Sequence, residues 1–178
     1  MPRCRGFTLL ELVYTLLIAT ILVTVALPAW GRLEQRTARA TTLNALVGAL
    51  RLARAESVHR DRAVAICPSA DGSHCRARRK WAKGWIIFVN SDRDYPVRRD
   101  AGEPILRRHG PITVPASMPA NRGAFTFRPL GSRSTNGTIA WCPPHSSGVT
   151  PRWLVVSPTG RARLVRQRSG TSMPACAR

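Results

Sequence analysis

The N-terminal segment of the chain is the feature that most constrains what it can fold into. Between residues 7 and 31 the only charged side chain is Glu11, and residues 12–30 are rich in Leu, Ile, Val and Ala. A run of this length can cross the hydrocarbon core of a bilayer as an α-helix. An ordinary membrane anchor would carry no charge at its edge, because an unpartnered carboxylate there is costly. A secretory signal peptide would end in a small-residue cleavage site, which Pro28-Ala29-Trp30 does not supply, so the segment predicts a retained membrane helix.

The residues that precede this helix narrow the choice of family. A basic leader that contains Arg5 ends at Gly6, Phe7 follows, and Glu11 is the fifth residue after the glycine. This pattern resembles the N-terminus of type IV prepilins and type II secretion pseudopilins. The resemblance implies that a prepilin peptidase cuts after Gly6 and methylates Phe7, and that Glu11 neutralises the N-terminal amine of a neighbouring subunit during assembly. Two opposite charges buried together cost less than either charge alone, which agrees with that role.

The helical pattern continues beyond the apolar run. One apolar stripe recurs at three- and four-residue spacing: Leu43, Leu46, Val47, Leu50 and Ala53. The solvent side is predicted to carry Arg39, Asn44, Arg51 and Arg54. A continuous helix from residue 7 to about residue 58 would be roughly 75–80 Å long. Its first half is expected in a membrane or filament, and its second half is expected to pack on a globular head.

Short apolar segments separated by Pro and Gly follow the helix and indicate β-strands. We predict strands at residues 63–67, 84–89, 105–107, 124–128, 138–142, 153–157 and 162–165. Asn136-Gly137 and Pro158-Thr159-Gly160 are typical of tight hairpin turns. The predicted fold is α+β and type IV pilin-like, with a long N-terminal helix packed on a small antiparallel β-sheet head. Its parts are a leader (1–6), a transmembrane and assembly helix (7–30), an amphipathic continuation (31–60) and a β-rich head with a basic tail (61–178).

The charge of the chain is strongly positive and unevenly distributed. Lys and Arg number 28 and Asp and Glu number 9, which gives a net charge of +19. After Glu103 there is no acidic residue, yet eleven arginines remain. Such a surface repels itself and attracts phosphate polymers or anionic membranes, and arginine suits forked hydrogen bonding to phosphate oxygens. A high-GC genome would explain the preference for Arg over Lys, but it would not explain the missing acids.

The cysteines predict disulfides in an exported head. Cys4 belongs to the leader and would be lost on cleavage. An even set remains: Cys67, Cys75, Cys142 and Cys176. Four cysteines allow three pairings, of which we favour Cys67–Cys75, closing a short loop, with Cys142–Cys176, tying the tail to a strand. A metal site at His74 and Cys75 lacks a supporting Cys-x-x-Cys pair, and none is predicted.

A second resemblance concerns the head. Cys67-Pro68-Ser69, Asp71-Gly72, Cys75, Trp81 and Gly84-Trp85-Ile86-Ile87-Phe88 resemble the head of FimT/GspH-type proteins. Gly160-Arg161-Ala162-Arg163 resembles the Gly-Arg-x-Arg motif of the FimT branch, which implies binding of DNA at a pilus during natural transformation. In the GspH branch the head belongs to the tip region of a secretion pseudopilus, where strong positive charge is not expected.

Two groups of basic residues are therefore candidate DNA contacts. The first group follows the predicted hairpin and comprises Arg161, Arg163, Arg166 and Arg168. The second is the run Arg76, Arg78, Arg79 and Lys80. The alternative for both groups is an ordinary solvated surface. Trp81 and Trp85 are predicted to lie in the core and not to act as base-stacking platforms.

No enzyme and no cofactor are predicted. The four histidines are scattered, none lies in a recognisable nucleophile motif, and the acids are too few and too dispersed for a paired-carboxylate site. The prediction is a minor type IV pilin held in the inner membrane by a single span, with its head in the periplasm, and then assembled into a surface pilus. Its expected partners are other pilin subunits, the prepilin peptidase and DNA. The alternatives are a secretion pseudopilin with a structural role and an adhesive tip subunit that binds anionic polymers.

Overall fold

One long helix precedes the strands of the head and continues through Pro28. The computed structural model describes residues 8–76, 80–129, 134–166 and 174–176. Helix α1 (Leu9–His59) spans 51 residues. Thr8 caps its N-terminus by accepting a hydrogen bond from Glu11 N at 3.3 Å, and the Glu11 carboxylate in the first turn suits the helix dipole. The predicted continuous helix over residues 7–58 is confirmed to within two residues at either end.

The two halves of α1 have different surroundings. The large apolar side chains described in the first half are exposed, and this half is long and apolar enough to cross a membrane. From Thr42 onward one face is buried against the head, and it contains the predicted stripe residues Leu43, Leu46, Leu50 and Ala53. Arg39 was predicted on the solvent side; it is instead half-buried, because its guanidinium reaches the head and donates to the Thr150 carbonyl at 2.6 Å.

A four-stranded antiparallel sheet packs on the second half of α1. It contains β1 (Val64–Pro68), β2 (Trp85–Val89), β3 (Ile105–His109) and β4 (Phe125–Phe127), in the order β3-β2-β1-β4. All residues of β1, β2 and β4 are buried. The helix covers one face, and a second apolar cluster around Ala65, Ile86 and Phe88 covers the other. Burial on both faces explains why these strands are apolar without alternation.

A second antiparallel sheet completes the head. It contains β5 (Gly137–Trp141), β6 (Arg152–Val156) and β7 (Ala162–Val165), in that order. Its inner face adds Ile139, Trp141 and Leu154 to the core that α1 shares with the first sheet. The predicted α+β fold with an antiparallel head is confirmed, and the strands of that head are divided between two sheets. Trp81 and Trp85 are buried in the core, as predicted.

The two predicted hairpin turns have different outcomes. Ser157 to Gly160 connects β6 to β7, so the second turn is confirmed. Asn136-Gly137 is not a hairpin turn, because β4 and β5 belong to different sheets and Gly137 is the buried first residue of β5. A Cβ atom on Gly137 would lie 2.6 Å from Arg122 Cγ, which shows that this glycine permits a close approach of neighbouring chain.

Both favoured disulfides are present in the structure. Cys67–Cys75 closes a short loop beside β1, and Cys142–Cys176 joins the C-terminal tail to the end of β5. Trp153 Nε1 donates to the Pro174 carbonyl at 3.0 Å and fixes the same tail. The tail therefore covers the outer face of the second sheet, where Cys142, Trp153 and Val165 form a small cluster.

Candidate functional site

The β6–β7 hairpin presents the Gly-Arg-x-Arg motif to solvent. Arg161 N donates to Ser157 Oγ at 3.1 Å, and the Arg161 carbonyl accepts from Ser157 N at 3.0 Å, so the turn is closed by backbone and side chain together. Arg163 is opposite Val155 on β6. Both arginine side chains are exposed. Arg163 lies in β7 and Arg161 directly precedes that strand, with the core-packed Ala162 between them.

The other two residues of the motif have structural roles. Gly160 has φ +75°, and a Cβ atom there would lie 3.0 Å from the Phe127 ring. Only glycine accommodates both the left-handed backbone and this contact. Ala162 is half-buried and packs against the main core. The motif thus fixes two arginines on a turn whose backbone is held against β4.

Arg166 belongs to a second group of cations at the opposite end of the hairpin. It follows Val165, which pairs with Trp153, so Arg166 and Arg152 flank the same end of the β6–β7 pair. Partial burial, and then the charges of Arg152 and Arg36, lower the pKa of Arg39. The structure therefore brings Arg36, Arg39 and Arg152 together where α1 enters the head, a grouping for which the sequence pattern gives no signal.

Arg76 lies in a cleft on the other side of the hairpin turn, here called the Tyr95 cleft. The cleft has a volume of about 340 Å³, and its cationic lining residues are Arg76, Arg93, Arg122 and Arg128. Three separate loops and the end of β4 supply them, which is why no run in the sequence indicates the group. Arg122 is fixed by a hydrogen bond from its Nε to the Asn136 carbonyl at 3.1 Å.

The hairpin and the Tyr95 cleft are neighbours. Ser134 N donates to the Pro158 carbonyl in the β6–β7 turn at 3.1 Å. Thr135, the next residue, donates its N–H to the Thr126 carbonyl at 2.9 Å and lines the cleft. The segment at 134–135 therefore joins the turn before Arg161 to the cleft that holds Arg122 and Arg128.

The acids near this surface are bonded to backbone N–H groups and not to arginines. Asp71 accepts from Ser73 N, His74 N and Ser69 Oγ. Hydrogen bonds from the backbone of His74 and Ser73, and then from the His74 side chain, lower the pKa of Asp71 well below its usual range. Glu103 accepts from Ser91 N at 2.6 Å and Asp100 N at 3.1 Å.

As a result, few arginines have acidic partners. Within the ranges that the structure describes, the one ion pair that involves an arginine is Arg60–Glu56 on α1. The candidate cations Arg76, Arg161, Arg163 and Arg166 are exposed. Their charge is therefore directed to solvent and to any anion that approaches.

Some predicted site residues are not part of this surface. Lys80 is exposed but does not line the Tyr95 cleft. Glu11 is exposed in the first turn of α1. Five further predicted positions lie outside the described residues: Gly6, Phe7, Arg78, Arg79 and Arg168.

Two histidines of the head have partners within the protein. His74 pairs with Asp71, and the His109 ring stacks on Trp85 with centroids 3.8 Å apart. Across the described part of the chain, no group of three or more His, Cys, Asp or Glu residues is arranged to hold a metal ion. The arrangement that the structure describes is a positively charged surface on a sheet scaffold.

Comparison with known proteins gives results for both halves of the chain. The family model for the type II transport protein GspH matches residues 42–160, and the prokaryotic N-terminal methylation motif matches residues 1–27. No curated protein matches the chain. A crystal structure of the type IV minor pilin FimU from Pseudomonas aeruginosa (strain PAO1) in space group P21 is 27% identical, with a TM-score of 0.53 over 79% of this chain and 96% of that chain. A second FimU structure, in space group P65, is also 27% identical, with a TM-score of 0.50 over 77% of this chain and 98% of that chain.

Proposed function

Since this chain belongs to the GspH family of minor type IV pilins and type II secretion pseudopilins, we propose that it is the pilus subunit whose basic head binds DNA for uptake in natural transformation. Membership of this family supports assembly into a filament, and the positive charge of the head supports DNA as the ligand. We place the chain in the FimT branch of the family because it contains the motif Gly160-Arg161-Ala162-Arg163.

The observation that carries the proposal is that, in the part of the chain that the structure describes, the arginines of the hairpin and the Tyr95 cleft form no ion pair with an acid. Asp71, Asp94 and Glu103 instead accept hydrogen bonds from backbone N–H groups of loop residues. Exposed guanidinium groups that are not paired with a carboxylate attract phosphate. Both groups of arginines adjoin the segment at 134–135, so one extended polyanion can contact them together.

Binding of this kind is dominated by the nucleic-acid backbone. Guanidinium contacts with phosphate position a strand but carry little sequence information. Each phosphate contact releases counterions, and the logarithm of affinity falls with the logarithm of salt concentration by about 0.9 per contact on duplex and about 0.7 on single strands. We therefore expect strong salt dependence and weak sequence preference.

The test is a fluorescence anisotropy titration of DNA with the full chain in detergent micelles, over a series of salt concentrations. Arg161→Gln/Arg163→Gln should bind roughly tenfold more weakly or worse, with a salt slope shallower by about one to two. Folding should be unchanged, because exposed arginines add little to stability. Pilus assembly should survive in cells, while DNA uptake should fail.

The matched control removes the same charge elsewhere. Arg51 and Arg54 are exposed on α1, so Arg51→Gln/Arg54→Gln lowers the net charge equally without touching the hairpin. This control should bind DNA much as the wild type does. If both double variants lose DNA affinity equally, the hairpin arginines act only through the net charge of the chain. Unchanged affinity in the hairpin variant would leave the motif a solvated turn and favour the second candidate.

The second candidate is a type II secretion pseudopilin with a structural role, which the description of the matching family favours. Under either function, the proposed processing is cleavage after Gly6 with methylation of Phe7 by prepilin peptidase. Residues 1–6 are then the leader, residues 7–30 span the inner membrane and later join the filament, and Glu11 pairs with a neighbour's amine. The head, at residues 61–178, is proposed to face the periplasm before assembly. A Gly6→Val variant tests the processing step.

A further inference from the structure

The aromatic side chain that lines the Tyr95 cleft is not part of the hydrophobic core. Tyr95 is 94% exposed. Within the described part of the head, the other Trp, Tyr and Phe side chains are all buried, among them Trp81, Phe125 and Trp141. A single exposed tyrosine is ordinary on a protein surface. Tyr95 differs because it lines a cleft together with four arginines, so its ring and their charges face the same space.

The loop that carries Tyr95 is held by a dense set of hydrogen bonds. Asp94 Oδ1 accepts from Asn90 Nδ2 at 3.0 Å, and Asp94 Oδ2 accepts from Arg98 N at 2.8 Å. Asp94 N donates to Asp92 Oδ1 at 3.2 Å. The single carboxylate that lines the cleft is thus occupied on both oxygens by its own loop. Tyr95 is therefore presented on a fixed support, which lowers the entropy lost when a ligand stacks on it.

The arginines and Tyr95 match two parts of a nucleotide. Guanidinium groups bind the backbone phosphates, and an aromatic face stacks on a base. In a duplex the faces of each base are covered by its neighbours, and its N–H groups are largely paired. A cleft of about 340 Å³ is at the small end of the range for ligand pockets and suits one nucleotide unit, not a double helix.

We infer that the Tyr95 cleft binds an unstacked nucleotide of single-stranded DNA, with its base on Tyr95 and its flanking phosphates on Arg76, Arg93, Arg122 and Arg128. This inference rests on the proposed function and specifies that the DNA bound in the cleft is single-stranded. The hairpin arginines contact phosphates in single and double strands alike, whereas Tyr95 acts only on an unpaired base.

The experiment compares three DNA probes of equal length with the full chain in detergent micelles at one salt concentration. The probes are a mixed-sequence single strand, its duplex, and a single strand of abasic sugar-phosphate units. Tyr95→Ala should weaken binding of the ordinary single strand about tenfold, while its affinity for the duplex and the abasic strand stays unchanged. Tyr95→Phe keeps the ring and should retain the wild-type affinity. The side chain is exposed, and thermal unfolding of both variants should match that of the wild type.

The outcomes separate this inference from the proposed function. Arg161→Gln/Arg163→Gln should weaken the binding of all three probes, and this loss measures the contribution of phosphate contacts alone. If Tyr95→Ala binds the single strand as the wild type does, or weakens all three probes equally, the nucleotide site is wrong while DNA binding stands. If the wild-type chain binds none of the probes, the proposed function fails and the inference fails with it.

Discussion

Gly160 is needed in the β6–β7 hairpin for the backbone conformation and not for contact with a ligand. Its φ of +75° places it in the left-handed region, and a Cβ atom there would be in tight contact with the Phe127 ring. Arg161 and Arg163 are then fixed one residue and three residues further along. The Gly-Arg-x-Arg pattern therefore combines two requirements. The backbone must turn close to β4, and the turn must present two cations to solvent.

Gly160→Ala should destabilise the head, because an L-residue in the left-handed region costs about 1–2 kcal/mol and the new methyl group would crowd Phe127. Gly148→Ala is the matched control: its φ is +62°, but its nearest neighbour is Arg32 Cδ at 3.7 Å, an ordinary contact. Urea unfolding followed by tryptophan fluorescence should give the larger loss for Gly160→Ala, by about 1 kcal/mol or more. Equal losses would show that the Phe127 ring yields without cost.

At the scale of elements, periodicity in the sequence predicts what local patterns can encode. The helix, the strand positions and the β6–β7 turn follow from apolar spacing and from Pro158-Thr159-Gly160. Asn136-Gly137 misleads because the reason for its glycine is the tertiary contact with Arg122. The Tyr95 cleft could not be predicted, since its arginines come from separate loops. Arg122 and Arg128 belong to the acid-free half of the chain, which is the only signal that points to them.

The two disulfides should contribute unequally. Cys142–Cys176 closes a separation of 34 residues and Cys67–Cys75 a separation of 8, so the chain-entropy model gives about 4 kcal/mol for the first and about 2.5 kcal/mol for the second. Replacing each pair by serines and measuring the free energy of unfolding should reproduce that order. Peptide mapping without reductant checks the pairing itself. If removing the Cys67–Cys75 bond causes the larger loss of stability, the order that this bond gives to the loop around Asp71 contributes more than the entropy of loop closure.

At the scale of the whole molecule, the two halves of α1 allow assembly and binding to be separated. The first half has its apolar side chains exposed, whereas the second half is part of the core of the head. Substitutions near Glu11 do not touch the head directly, because the side chains of residues 9–24 are all exposed. Substitutions on the hairpin are equally remote from the assembly segment. Defects of the two kinds should therefore combine independently.

Glu11→Ala should be processed normally yet reach the filament poorly, because it removes the partner proposed for a neighbour's buried amine. Mass spectrometry should show the loss of residues 1–6, and immunoblots of sheared pili should show depletion of the subunit. Gly6→Val is the companion variant: the peptidase site requires a residue with almost no side chain, so the uncut mass should persist. Normal amounts of Glu11→Ala in pili would contradict the pairing, and a cleaved Gly6→Val chain would contradict the processing.

The bond between Cys142 and Cys176 also bears on the order of events in the life of the subunit. Disulfides persist in oxidising compartments and are rare in the cytosol. Together the two bonds represent about 6 kcal/mol on the chain-entropy model, comparable with the entire stability of a small domain, about 5–15 kcal/mol. For a chain that is exported as proposed, the head lacks this stabilisation while it is threaded through the membrane. On the proposed function, the head then gains its full stability, and with it the fixed geometry of its basic surface, only after leaving the compartment that contains the cell's own nucleic acid.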